Sequence, residues 1–193
     1  NLSGDVNYVS TIEASALSTI DGGGMTGDVF LQLKDVEDDG ITVTTGSGND
    51  YIAGEDSDAT YDISTGDGAD LVLITQGFNP FGGDDVVTTG DGEDVIFAGE
   101  GNDDIFAGDD ADTALFLAYD TNQDDTYAGG GGFDTAIMLS GTGSIFGDDS
   151  FMEFFTSVEN LVLGGDSDSL QLTRTSDTSD LEQVDLSAGG EDA

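Results

Sequence analysis

Residues 88–113 read TTGDGEDVIFAGEGNDDIFAGDDADT. Gly90, Gly92 and Asp94 recur nine residues later as Gly99, Gly101 and Asp103, and part of the pattern returns at Gly108 and Asp112. The register extends over 81–116 as FGGDDVVTT, GDGEDVIFA, GEGNDDIFA and GDDADTALF, which adds Gly83 and Asp85. Each part of Gly-x-Gly-x-Asp-x-apolar has a physical role. The glycines allow positive φ and a tight turn, and they leave backbone carbonyls uncovered by side chains. The aspartate reaches into the turn, and the residue two places on faces inward from a short strand, because alternate residues share a face.

Outside this stretch a longer motif repeats as TTGSGNDYI (44–52), STGDGADLV (64–72) and TTGDGEDVI (88–96), at spacings of 20 and then 24 residues. These copies add Gly46, Gly48, Asp50, Gly66, Gly68 and Asp70, and a degenerate copy GGGFDTA (130–136) adds Gly130, Gly132 and Asp134. Two places after an aspartate stand Ile52, Val72, Val87, Ile96, Ile105, Ala114 and Ala136, all apolar. A nine-residue unit supplies one turn and one short strand, half a coil. Residues eighteen apart then stack, Asp94 against Asp112 and, on the opposite edge, Asp85 against Asp103. Stacked carboxylates about 5 Å apart repel one another when nothing lies between them. A Ca²⁺ between each pair bridges them, with turn carbonyls completing six to eight oxygen ligands.

Composition points the same way. The 193 residues hold 42 acidic and two basic side chains, Lys34 and Arg174, for a net charge of −40. Nucleic acid and anionic membrane surfaces are excluded as partners, since both are bound through Lys and Arg. With no histidine and no cysteine, disulfides, Cys/His zinc sites, thiol nucleophiles and imidazole bases are excluded. Oxygen donors remain, and they favour hard cations, above all calcium. Acidic composition alone suggests disorder, yet 36% of the residues are hydrophobic and alternate with polar ones in short runs such as VFLQL (29–33) and ITVTT (41–45). Very short strands, glycine-rich turns and an internal period predict a solenoid. No segment reaches transmembrane length, and NLSGDVNYVS lacks a signal-peptide pattern. A processed or excised piece, or export without an N-terminal signal, is expected.

GDGEDVIFA and GEGNDDIFA resemble the nonapeptide GGxGxDx-apolar-x of the RTX family of calcium-binding β-roll proteins, with an acidic residue at one of the first two glycine positions. The resemblance implies an all-β fold, a right-handed parallel β-roll or β-helix with several calcium ions in its turns. It also implies type I secretion and disorder until extracellular calcium is met. FGGDDVVTT lacks the first glycine, and GDDADTALF has Asp110 where the second belongs. The flanking VSTIEAS and SVENLVL segments are similar to bacterial S-layer and large adhesin proteins, in which such repeats alternate with irregular β-solenoid.

One elongated unit is therefore expected over 1–193, with irregular coils at 1–43, calcium-binding coils at 44–136 and irregular coils at 137–193. Most carboxylates have repeat equivalents, whereas a catalytic pair is singular, which argues against an enzyme. The expected function is a calcium-stabilised extracellular structural protein, a unit of a bacterial surface layer, filament or adhesin. Self-association into a lattice or fibre is expected, and cell-surface polysaccharide is a candidate partner. The alternatives are a secretion and folding module of a larger exported enzyme or toxin, and a carbohydrate-binding accessory module. Clusters at Asp56 and Asp58, Asp109 and Asp110, and Asp166 and Asp168 are expected to be solvated turns. Phe146, Phe151, Phe154 and Phe155 are expected to cap or widen the core.

Overall fold

The computed structural model describes residues 3–5, 7–36, 40–55, 59–74, 83–99, 101–117, 125–139, 155–164 and 183–185. These contain strands and turns and no helix. One parallel sheet has nine strands: Tyr8–Glu13, Val29–Lys34, Tyr51–Gly54, Leu71–Ile74, Val95–Phe97, Thr113–Leu117, Thr135–Leu139, Asn160–Gly164 and Gln183–Asp185. The facing parallel sheet has seven: Thr19–Asp21, Ile41–Thr44, Tyr61–Ser64, Val86–Asp91, Asp104–Asp109, Thr126–Gly131 and Phe155–Thr156. A further pair, Ser3–Gly4 and Gly24–Met25, lies at the N-terminal end. The chain alternates between the two large sheets, so each coil contributes one strand to each. This is the expected parallel β-solenoid.

The alternating pattern explains the layering. In the seven-stranded sheet Ile20, Val43, Ile63, Val87, Ile105, Tyr127 and Phe155 align in one inward column. In the nine-stranded sheet Leu31, Ile52, Val72, Ile96, Ala114, Ala136 and Leu161 do the same. All fourteen are buried in a single core cluster. The seven residues expected to point inward two places after an aspartate are all 0% exposed. Phe155 packs at 4.7 Å from Phe116 and edge-on to Tyr127. It therefore extends the core as expected, while Phe146, Phe151 and Phe154 lie outside the described residues.

The two connections between the sheets differ. From the seven- to the nine-stranded column the step is nine residues in five successive coils: Val43 to Ile52, Ile63 to Val72, Val87 to Ile96, Ile105 to Ala114 and Tyr127 to Ala136. In the other direction it is nine residues only from Ile96 to Ile105 and reaches nineteen from Ala136 to Phe155. The stacking interval of eighteen therefore holds for one step on each edge, Asp94 to Asp112 and Asp85 to Asp103. Elsewhere the variable connection lengthens the coil, giving 20 from Asp50 to Asp70 and 24 from Asp70 to Asp94.

Candidate metal centre

On the constant edge, each turn leaves the seven-stranded sheet through glycines and enters the nine-stranded sheet through an aspartate. Asp50, Asp70, Asp94, Asp112 and Asp134 form one column there, all at most 2% exposed. The backbone N–H of Asp50 donates to Oδ1 of Asp70 at 2.7 Å, that of Asp70 to Asp94 at 2.8 Å and that of Asp94 to Asp112 at 2.9 Å. Asp112 donates in the same way to Asp134 at 2.9 Å. Each carboxylate thus spends Oδ1 on the coil before it. The other oxygen, Oδ2, is buried without a hydrogen-bond partner in all five.

The glycines hold the turns by two different means. Gly66, Gly68, Gly90, Gly92, Gly108, Gly130 and Gly132 have φ between +99° and +156°, the region side chains disfavour. Gly46 and Gly48 do not. They are required by close approach: a Cβ on Gly46 would lie 1.8 Å from the Met25 carbonyl oxygen. The same crowding recurs along the column, where a Cβ on Gly90 would meet the Gly66 oxygen at 2.2 Å and one on Gly108 the Gly90 oxygen at 1.9 Å. Asp110 adopts φ +84° where the repeat expects glycine, so an L-residue there carries the strained geometry.

The opposite edge carries a shorter column. The N–H of Asp85 donates to Asp103 at 2.9 Å and that of Asp103 to Asp125 at 3.0 Å. Gly99 and Gly101 take positive φ there, and a Cβ on Gly101 would meet the Gly83 oxygen at 2.1 Å, as one on Gly83 would meet that of Ala59. The nineteen expected residues therefore fall into two groups. Gly83, Asp85, Gly99, Gly101 and Asp103 lie on this edge, and the other fourteen on the constant edge.

Burial with no countercharge governs the ionisation of these groups. Desolvation raises Asp70, Asp103 and Asp112 from 3.8 to about 7, and Asp85 to about 8. It also raises Asp50, Asp94 and Asp134. Neighbouring carboxylates add to the rise, as Asp94 and Asp134 do at Asp112. Hydroxyls of Thr65 and Thr89 oppose it at Asp70 and Asp94, but these hydroxyls donate to the carbonyls of Thr89 and Ala107. They do not occupy the orphaned oxygens.

The donor set fits a hard cation. A buried anionic oxygen without a partner costs several kcal/mol, and here the same atom is orphaned at five successive levels. Among the described residues no three acidic side chains converge on one point. The arrangement instead offers one carboxylate per level at the end of a glycine turn, an all-oxygen environment that suits calcium.

The family model of the RTX calcium-binding nonapeptide repeat matches residues 42–58 and 81–114, in four copies. These segments are RTX repeats. RTX nonapeptides bind calcium, and the β-roll they form is a structural, calcium-binding module. Asp70 and Asp134 lie outside the matched segments, yet their hydrogen bonds place them in the RTX column. No curated protein and no solved structure gave a significant match.

Sequence reasoning missed two members of the columns. Asp125 follows Asp103 on the variable edge, and Glu159 accepts from the N–H of Asp134 at 2.7 Å. Each stands two places before a buried apolar residue, Tyr127 and Leu161, so the Asp-x-apolar rule finds them once the glycine requirement is dropped. Asp28 accepts from the N–H of Asn49 at 3.0 Å through Oδ1 and from the Asn7 amide at 3.0 Å through Oδ2. Asp28 stands one residue before the column, whose place at this level is taken by Val29, the donor to Oδ1 of Asp50, and both Asp28 oxygens are satisfied by amides. Lys34 pairs with Glu55 at 3.1 Å, and Arg174 lies outside the described residues with Asp56, Asp58, Asp166 and Asp168. Asp109 and Asp110 are exposed, as expected for a solvated turn.

Proposed function

We propose that this protein is a calcium-stabilised extracellular structural unit of a bacterial surface layer, filament or adhesin, without enzymatic activity, which folds and assembles when it binds Ca²⁺. The observation that carries the reading is the column of five buried carboxylates, each with one oxygen that no hydrogen bond reaches. Asp50, Asp70, Asp94, Asp112 and Asp134 would hold the ions on the constant edge with the paired glycine turns, and Asp85 and Asp103 on the other edge. When bound, calcium supplies the positive charge that the buried oxygens lack. The chain itself aims the carboxylates through its N–H to Oδ1 bonds and forms the turns through glycine.

Without the cation, a chain at −40 repels itself. Binding energy that only the native state can collect is folding energy, so calcium acts as the folding switch. RTX repeats are typical of type I-secreted extracellular proteins, which supports the location. No helix among the described residues is long and apolar enough to cross a membrane.

Far-ultraviolet circular dichroism during a calcium titration, reversed with EDTA, tests the switch. Above about pH 8, where the buried carboxyls are ionised, a β spectrum should appear with calcium and vanish on chelation; a spectrum unchanged by EDTA there overturns the proposal. Electron microscopy in millimolar calcium tests the structural role. Sheets or fibres are expected, whereas dispersed single particles under all conditions favour a secretion module of a larger exported protein.

A further inference from the structure

The outer faces of the two sheets differ in chemistry. On the nine-stranded sheet, Val9, Phe30, Tyr51, Leu71 and Val95 form one outward row by register. A second row, one outward position further along the strands, contains Leu73, Phe97, Leu115, Ile137 and Val162. Neither row carries a charge from Tyr8–Glu13 across to Asn160–Gly164. Val9 is 73%, Phe30 42% and Val95 38% exposed, and Phe30 stacks flat on Tyr51 at 4.4 Å. On the seven-stranded sheet the corresponding row runs Thr42, Asp62, Val86, Asp104 and Thr126, so two carboxylates flank its one apolar side chain. Solvent-facing strands normally alternate apolar inward with polar outward. The first row continues through Thr113, Thr135 and Asn160 and the second begins at Thr11 and Gln32, so the outer face is uncharged along both rows and apolar in both across its middle strands.

We infer that the outer face of the nine-stranded sheet is a docking surface for the same face of a second copy of this chain. The inference rests on the calcium-folded reading above, and it names the surface through which the folded unit associates. Two features select the occupant. The outer face with Asp62 and Asp104 and both edges carry carboxylates, so a second copy approaching there meets like charge. On the nine-stranded face charge is confined to the margin beyond the two rows, at Glu13 and the Lys34–Glu55 pair. The uncharged rows are where two such chains can approach without that repulsion, and face-to-face contact is self-complementary in polarity, as a two-fold pair requires. Area is the second feature. Strands about 4.8 Å apart, with outward side chains about 7 Å apart along each, make a face of roughly 40 by 12 Å. Two such faces bury about 1,000 Å², enough for a specific contact. Exposed apolar patches of this size ordinarily mark interaction sites, and parallel sheets ordinarily have both faces covered.

Sedimentation velocity on the full chain at tens of micromolar in millimolar calcium, with circular dichroism on the same samples, tests the surface. The wild type should be dimeric or larger. Val95→Glu with Phe30→Glu should be monomeric with an unchanged β spectrum, because both side chains point outward. Phe106→Glu, at an exposed position of the other sheet, should associate like the wild type. A folded wild-type monomer, or a double variant that still associates, overturns the surface and leaves calcium folding intact. Association that persists in EDTA above about pH 8 with an unchanged spectrum, yet is lost in the double variant, keeps the surface and overturns the calcium reading alone.

Discussion

The two edges of the solenoid are built from the same repeat but under different rules. On the edge leading into the nine-stranded sheet, the half-coil is nine residues long five times in succession, from Val43–Ile52 to Tyr127–Ala136. On the other edge it runs from nine residues to nineteen. The constant edge carries five orphaned carboxylates, and the variable edge carries the column Asp85, Asp103 and Asp125. Length is held where oxygen donors must coincide at every strand spacing. Where they need not, the connection varies in length at little cost, because loop closure entropy grows slowly with length.

The largest expected effect involves both edges. Without calcium, the buried carboxylates have folded-state values raised above the unfolded 3.8, Asp70, Asp103 and Asp112 to about 7 and Asp85 to about 8. A raised carboxyl contributes stability that is full below the unfolded value and is lost as pH rises through the folded one. In EDTA the chain should therefore hold β structure near pH 4 and lose it between about pH 4 and pH 8. Calcium should remove this loss, because its ligands must be deprotonated. Circular dichroism against pH, with and without calcium, measures both limbs.

Next come substitutions that distinguish orphaned from satisfied carboxylates. Asp94→Asn keeps an acceptor for the N–H of Asp70 but removes the charge, and should cost about 3 kcal/mol in calcium, read from urea midpoints. Asp28→Asn should leave the calcium midpoint where it is, since amides already satisfy both oxygens.

Gly90→Ala should cost about 2 kcal/mol, from a φ of +122° and a Cβ 2.2 Å from the Gly66 oxygen. Four residues inserted between Ile74 and Gly83, on the variable edge, should cost less than about 1 kcal/mol. Comparable losses in the two variants would show that the edges obey one rule. The smallest effect has the opposite sign. Asp110→Gly should stabilise the calcium-bound protein by about 1 kcal/mol by relieving a φ of +84°.

Most of the constant edge was legible because its rule is local. Glycines before an aspartate, and an apolar residue two places after it, are fixed by turn geometry and strand alternation within nine residues. The same locality hid Asp125 and Glu159, whose segments keep the Asp-x-apolar or Glu-x-apolar step but lack the glycines. It also hid why Gly46 and Gly48 must be glycine, since that need comes from Met25 and Gly27 in the preceding coil.

By itself the sequence determined the residue types and the half-coil: which carboxylates enter turns, which apolar side chains face inward, and that a hard cation suits a chain without histidine or cysteine. Tertiary structure decided which levels meet. Asp50 pairs with Asp70 across 20 residues and Asp70 with Asp94 across 24, and only closure of each coil onto the last sets those partners. It also decided that one carboxylate oxygen is spent on the preceding coil and the other is left buried. Strand alternation acts between neighbours in the chain, whereas stacking is set by strands about 4.8 Å apart in space, whatever length of chain lies between them.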